Sequence, residues 1–330
     1  MINRTTNLSI DDYVRGILNR DRTVLARAIT LVESNAPEHI KKAQNLLKEI
    51  LPHTGQTIRV GITGLPGAGK STFIEALGCH LTRQGLKIAV LAIDPSSSIS
   101  KGSILGDKTR MEKLSQDPNA FIRPSPSSGI LGGVARKSRE TMLLFEAAGY
   151  DVILVETIGV GQNEITVRSM VDFILLLMIA GAGDELQGIK KGIVEIADAI
   201  VFNKADGDNK ARAMIAREEF EKALHYLYHA TEGWTTHAYA CSAMTGEGIP
   251  EIWQTISDFK EQIQKSGVWQ IRRRHQEKDW LHSLVDEQLH NLFVTHSSIQ
   301  SILPEVERDV MEGKLTALTA AKMLLERFEG

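Results

Sequence analysis

The stretch Ile58-Arg59-Val60-Gly61-Ile62-Thr63-Gly64-Leu65-Pro66-Gly67-Ala68-Gly69-Lys70-Ser71-Thr72 decides the fold of this 330-residue chain. A short apolar run of strand character leads into Gly-x4-Gly-Lys-Ser, and a helix is expected over 70–83, which is the context a phosphate-binding loop requires. The glycines let the backbone turn its N–H groups toward phosphate oxygens, and the helix then begins with its positive end facing the anion. Gly64, Gly67, Ala68, Gly69, Lys70, Ser71 and Thr72 are therefore the candidate phosphate-binding residues. Lys70 supplies a positive charge to the outer phosphates and is a candidate catalytic group, while the Ser71 hydroxyl is a candidate ligand for Mg2+.

Outward from this stretch, short apolar strands alternate with amphipathic helices. Strands are expected near 58–63, 87–93, 151–156, 172–179, 199–203 and 236–241, with helices near 70–83, 132–148, 163–170, 208–228 and 249–265. A strand such as Ile88-Ala89-Val90-Leu91-Ala92-Ile93 is apolar on both faces and needs helices on each side. The expected class is α/β: a mostly parallel P-loop sheet covered by helices, with N-terminal and C-terminal helical extensions. The expected division is 1–56, 57–258 and 259–330. In the first segment Ser9, Asp11 and Asp12 are placed to start a helix. In the last, Leu281, Leu284, Val285, Leu289, Leu292 and Phe293 form one apolar face and Leu315, Leu318, Ala321, Leu324, Leu325 and Phe328 another, which points to a homodimer or to an intrachain cap.

Magnesium prefers hard oxygen ligands, so acidic residues at neighbouring strand ends are the candidates to complete its site: Asp94, Asp107 and Glu156. Asp94 is also a candidate for holding a water near the last phosphate. Glu156 precedes Thr157-Ile158-Gly159, where the Gly159 N–H is placed to meet the γ-phosphate. The next residue is Val160 rather than the customary water-positioning glutamine, and Gln162 is the nearest substitute, so slow unaided turnover is expected.

Asn203-Lys204-Ala205-Asp206 follows a strand and selects the base. An Asp206 carboxylate accepts from both N1–H and N2–H2 of guanine, whereas adenine has no donor at either position. Asn203 supports the loop, the Lys204 stem covers the ring, and Cys241-Ser242-Ala243 after a later strand supplies a second base loop, with the Ala243 N–H as a donor to guanine O6. GTP and GDP are thus the expected nucleotides.

Three other segments stand out. Pro124–Gly133 reads as a shaped loop rather than a strand or helix. Gly181–Gly192 reads as a nucleotide-responsive loop in which Asp184, Glu185, Gln187, Lys190 and Lys191 couple to a partner, the alternative being a surface loop that caps the next helix. The basic run Arg272-Arg273-Arg274-His275 reads as a solvated helix face, with a partner contact as the alternative.

Composition limits what remains. A net charge of −3 gives no general attraction to nucleic acid or anionic lipid, and the strongest apolar stretch, Phe173–Ala180, is about half the length needed to cross a bilayer. Cys79 and Cys241 form neither a disulfide framework nor a metal motif, and the N-terminus has no hydrophobic signal core, so a cytoplasmic location is expected.

The motifs GLPGAGKST from Gly64, AIDPSS from Ala92, GSILGDKTRM from Gly102, IRPSPSSGILGG from Ile122, VETIGVGQNE from Val155, AGAGDELQGIKKG from Ala180 and NKADGDN from Asn203 together resemble the methylmalonyl-CoA mutase-associated GTPases, also called the lysine/arginine/ornithine transport ATPase-like family. The resemblance covers nearly the whole chain. It implies a signal-recognition-type P-loop fold, homodimerisation through the C-terminal helices, magnesium-GTP binding with low intrinsic hydrolysis, and interaction with a cobalamin-dependent methylmalonyl-CoA mutase or related acyl-CoA mutase whose cofactor loading and protection the nucleotide controls. It carries the family's third switch to Gly181–Lys191. The transport name implies an ATPase or protein kinase instead; a metallochaperone for another metalloenzyme and a non-hydrolysing nucleotide-state scaffold are the remaining alternatives.

Overall fold

The computed structural model describes residues 8–94, 111–126, 131–157, 163–181, 191–226 and 230–329, with only the backbone described at some segment ends, Asp94 and Lys191 among them. The chain divides into two compact units, Met1–Arg274 and His275–Gly330.

The first unit opens with α1 (Ile10–Leu18), α2 (Arg22–Glu33) and α3 (Pro37–Ile50). Ser9 caps α1 by accepting from the Asp12 N–H at 3.1 Å while the Asp12 side chain returns to the Ser9 N–H at 3.1 Å, a capping box that satisfies two end donors reciprocally. Asp21 does the same work for α2, accepting from the N–H groups of Thr23 and Val24. Then come β1 (Ile58–Gly64), α4 (Lys70–Arg83), β2 (Ile88–Asp94), α5 (Glu112–Gln116), β3 (Ala120–Pro126), α6 (Leu131–Ala147), β4 (Val152–Thr157), α7 (Asn163–Arg168), β5 (Phe173–Ile179), α8 (Lys191–Glu195), β6 (Ala199–Asn203), α9 (Lys210–Leu224), β7 (His237–Ala240) and α10 (Ile249–Lys265). The first turns of α11 (Val268–Thr295) complete this unit.

The seven strands form one sheet in the order β3-β2-β4-β1-β5-β6-β7, with every pairing parallel. Successive residues of each strand feed two cores. Ile58, Val60 and Ile62 of β1 pack with Phe73, Ile74 and Leu77 of α4 and with Ile252, Ile256 and Phe259 of α10. Ile153 and Val155 of β4 and Ile174 and Leu176 of β5 pack on the other face, with α1–α3, α6 and α9. That two-sided burial is why the strands are apolar throughout.

Two expectations need correction. Pro124–Pro126 lie in β3, paired with Ala92–Asp94, and Leu131–Gly133 lie in α6, so Pro124–Gly133 is not one loop. Prolines lack an N–H, which bars them from central strands but not from an edge, and β3 is an edge strand. Nor is the basic run Arg272-Arg273-Arg274-His275 a uniformly solvated face: at the N-terminal end of the sheet, within the same unit, Arg273 is docked on the Asp172 carboxylate and Arg272 on the Asp172 carbonyl oxygen and the Thr231 hydroxyl.

That end is built on a repeated device. Asp151, Asp172 and Asp198 each stand one residue before a strand, and each accepts a backbone N–H from the neighbouring strand's start: Lys87 at 2.8 Å, Arg59 at 2.8 Å and Ile174 at 2.9 Å. Asp172 is held by a two-pronged contact from Arg273 (both 2.6 Å), and Glu146 takes Arg59 at 2.7 Å and Arg273 at 3.2 Å. Burial raises the Glu146 pKa, but Arg59 and Arg273 outweigh it and hold the carboxyl below its ordinary value. Losing one partner of such a buried pair costs about 3–5 kcal/mol because the other charge is stranded.

The second unit comprises the rest of α11, α12 (Ser297–Met311) and α13 (Ala317–Glu329). Phe293 meets Phe328 with ring centroids 5.3 Å apart, and His296 meets the same ring at 5.1 Å. Leu281, Val285, Leu289 and Leu292 form an exposed stripe along α11, with Leu281 and Leu292 each 60% exposed. No helix among the described residues is long and apolar enough to cross a membrane.

Candidate functional site

The phosphate loop leaves the C-terminal end of β1 at the centre of the sheet, between β4 and β5. Gly64 has φ 149°, and a Cβ there would lie 2.1 Å from the Leu177 carbonyl oxygen, so only glycine lets the loop rise this close to β5. Gly69, with φ 86°, caps α4; a Cβ on it would meet the Asn203 amide nitrogen at 2.7 Å. The loop is therefore shaped by a neighbouring strand and by a base-loop residue.

Lys70 folds back over the loop, its Nζ donating to Gly64 O at 2.9 Å and Leu65 O at 3.2 Å. Burial pushes its pKa below the ordinary value, with the nearby Glu156 carboxylate opposing that shift. Ser71 Oγ donates to Glu156 Oε1 at 2.8 Å, joining the first turn of α4 to the end of β4. A hydroxyl and a buried carboxylate side by side are an all-oxygen donor set, which suits a hard cation such as magnesium.

The base loops meet the phosphate loop through Asn203. Its Nδ2 donates to Ala68 O at 2.8 Å, while its Oδ1 accepts from the Ala243 N–H at 3.1 Å and from the Cys241 thiol at 3.6 Å. Burial pushes the Cys241 pKa up to about 12, so it stays a neutral donor. Lys204 takes a left-handed φ of 59°, uncommon for a residue with a side chain, and its carbonyl accepts from Asn209 Nδ2 at 2.9 Å. Asp206 Oδ2 accepts from Ser242 Oγ, which in turn accepts from the Thr245 N–H at 3.1 Å. Asn203, Lys204, Asp206, Ser242 and Ala243 are thus one assembly, contiguous with Gly64, Gly67, Ala68, Gly69, Lys70, Ser71, Thr72 and Glu156 through the Asn203–Ala68 contact.

Asp107, Gly159, Gln162, Asp184, Glu185, Gln187 and Lys190 lie outside the described residues, and the side chains of Asp94 and Lys191 are likewise not described. The backbone places Asp94 at the C-terminal end of β2, opposite Pro126, and Lys191 at the start of α8. Sequence reasoning did not find the couplings among these loops. Thr245 and Cys241 support Ser242 and Asn203, and only their adjacency to the Ser-Ala turn hinted at it.

Residues 25–298 match the family described as Methylmalonyl Co-A mutase-associated GTPase MeaB. The chain belongs to that family. Among its relatives, GTPase ArgK of Escherichia coli is 48% identical over 326 residues, covering 99% of this chain and 98% of the relative. The methylmalonic aciduria type A homolog, mitochondrial, of Mus musculus is 46% identical over 330 residues, covering 97% and 80%. A solved structure described as an LAO/AO transport system kinase superposes with a TM-score of 0.79 at 40% identity, covering 99% of this chain and all of that one. A MeaB-family chain with this sheet and these loops is a P-loop GTPase.

Proposed function

We propose that the chain hydrolyses magnesium-bound GTP to GDP and phosphate, slowly when alone, and uses its nucleotide state to control cobalamin loading and protection of a methylmalonyl-CoA mutase-type enzyme. The observation that carries the reading is the single hydrogen-bonded assembly that links the Lys70–Ser71–Glu156 cluster to the Asn203–Asp206–Ser242 base loops. The mutase as client rests on the family's description and on the methylmalonic aciduria type A relatives.

In this reading the Lys70 ammonium, held at the loop by two carbonyls, exchanges those partners for phosphate oxygens when GTP arrives. Ser71 and Glu156 hold magnesium, which when bound neutralises charge on the outer phosphates. Asp206 accepts from the guanine edge while Ser242 fixes its carboxylate. Asp94 and Gln162 are assigned to the attacking water and Asp94 and Asp107 to the metal side, and the Gly159 N–H to the γ-phosphate. With Val160 in place of a glutamine directly after Gly159, water positioning is incomplete until a partner supplies it.

Residues 259–330 are assigned to homodimerisation, supported by the exposed stripe Leu281, Val285, Leu289 and Leu292. Residues 181–191, with Asp184, Glu185, Gln187, Lys190 and Lys191, are assigned to nucleotide-dependent contact with the mutase. The test is sedimentation of the full chain, alone and with the mutase of the same cell, in GDP and in a non-hydrolysable GTP analogue. The expected result is a dimer alone and a mutase complex whose affinity differs between the two nucleotides. An identical affinity in both states would remove the switch from this account.

A further inference from the structure

An open cleft of about 660 Å3, a volume typical of small-molecule sites, is lined by Ile58 and Val152 at the starts of β1 and β4. It therefore lies at the opposite end of these strands from the phosphate loop. Its floor is apolar: Ile256 is fully buried, and Leu86 and Trp253 are partly buried in the same layer.

The charged groups around this floor are unevenly matched. Glu146 is committed to Arg59, Arg273 and the Gly55 N–H, and Glu261 is paired with Lys265. Asp151 accepts the Lys87 N–H with Oδ2, and its Oδ1 has no hydrogen bond among the described residues. Lys260 Nζ donates to the Gln56 carbonyl at 3.1 Å, which leaves it two further N–H groups. The Arg20 guanidinium makes no hydrogen bond or ion pair among the described residues, although it carries five donors. Both cations act on Asp151, yet neither forms an ion pair with it. Burial raises the Asp151 pKa against the pull of Arg20 and Lys260, and burial lowers the Lys260 pKa, so both charges are short of solvent as well as of partners.

Arg20 is held there against its backbone preference. Its N–H donates to Ile17 O and the Asp21 N–H donates to Gly16 O, both at 2.9 Å, the paired bonds that close a helix on a left-handed residue. That residue is usually glycine, and here it is an arginine with φ 61°. The guanidinium lies against Gly149, where a Cβ would stand 2.8 Å from Nη2 and 3.2 Å from Nε. A strained residue whose side chain is given room but no protein partner points to a use outside the protein.

An anion would satisfy Arg20 and Lys260 together. A bare carboxylate between them would also face Asp151, a like charge. A hydroxyl or ammonium group on the adjacent carbon turns that contact into a hydrogen bond to Oδ1. We propose that the cleft binds a small α-hydroxy or α-amino acid with an apolar side chain: Arg20 and Lys260 take the carboxylate, Asp151 accepts from the α-substituent, and Leu86, Trp253 and Ile256 cover the side chain. This site shares no residue with the phosphate and base loops, and it does not depend on the hydrolysis reading.

The experiment is ligand-observed NMR titration of the full chain, with the nucleotide site filled by GDP, using leucine, leucic acid, isocaproate and leucinamide. Isocaproate lacks the α-donor and leucinamide lacks the carboxylate. Leucine or leucic acid is expected to bind about tenfold more tightly than either, and the tighter of the two identifies the amino acid or the hydroxy acid as the ligand class. Arg20→Gly is expected to weaken that binding by about tenfold while raising the thermal midpoint, because glycine suits the left-handed position. Lys260→Met, which keeps the apolar stem, is expected to weaken it similarly. Equal affinity for all four probes, or no binding of leucine and leucic acid at tens of millimolar, would overturn the proposal. A midpoint that falls in Arg20→Gly, with ligand affinity unaltered, would make Arg20 a structural prop and overturn its role.

Discussion

Replacing Asp206 with Asn is expected to weaken GDP binding by about 100-fold, roughly 3 kcal/mol, and to move the preference to xanthosine diphosphate. The Asp206 carboxylate has only acceptor sites, and Ser242 Oγ already holds Oδ2, so the group is fixed before the base arrives. Guanine offers two donors along one edge, and each charge-assisted bond is worth more than a neutral one. An amide at this position presents one oxygen and one NH2, so one guanine donor faces a donor. Xanthine carries a carbonyl where guanine carries its amine, and the pairing is restored. Fluorescence titration with both diphosphates checks this. Unchanged GDP affinity in the variant would remove Asp206 from base recognition and with it the case for guanine over adenine made from these loops.

Replacing Lys70 with Ala is expected to lower single-turnover hydrolysis by about 1,000-fold, with the thermal midpoint little altered. The small stability effect follows from what Lys70 contacts: its ammonium is bonded to two loop carbonyls, Gly64 O and Leu65 O, and burial already makes the charge costly, so the folded protein loses little when it goes. The large kinetic effect follows because no other lysine or arginine among the described residues bonds to the phosphate loop. A rapid-quench measurement at saturating enzyme reads the chemical step directly. Hydrolysis within about tenfold of wild type would place the charge stabilisation elsewhere.

The fold was legible where periodicity is strong. β1, β2, β4, β5 and β6 and the helices α4, α6, α9 and α10 all stand near their expected positions, because doubly buried strands and long amphipathic helices leave unambiguous patterns. β3 was not legible, since Pro124 and Pro126 argue against a strand unless its place at the sheet edge is known. The short helices α5 and α8, five residues each, carry less than two turns of pattern and were missed for that reason.

The loops that surround the phosphate and base positions were legible as motifs, each at a strand end. Their connections were not. Asn203 bridging Ala68 and Ala243 spans 135 residues in one direction and 40 in the other, and nothing in the spacing of the motifs encodes that reach. The opposite end of the sheet was read least well. Asp151, Asp172 and Asp198 recur immediately before strands, which is a visible signal, but the arginines that pair with two of them, Arg273 with Asp172 and Arg168 with Asp198, lie 101 and 30 residues away, and nothing in the local sequence marks them as partners. A buried ion pair looks like two surface residues until the tertiary structure brings them together.

The most direct test of the account as a whole is single-turnover GTP hydrolysis by the purified chain, first alone and then with the cobalamin-dependent mutase of the same cell. The account predicts slow turnover alone, acceleration by the mutase, and loss of both in Lys70→Ala. An unaltered rate with the mutase present, at a GTP concentration shown to saturate the site, would contradict it.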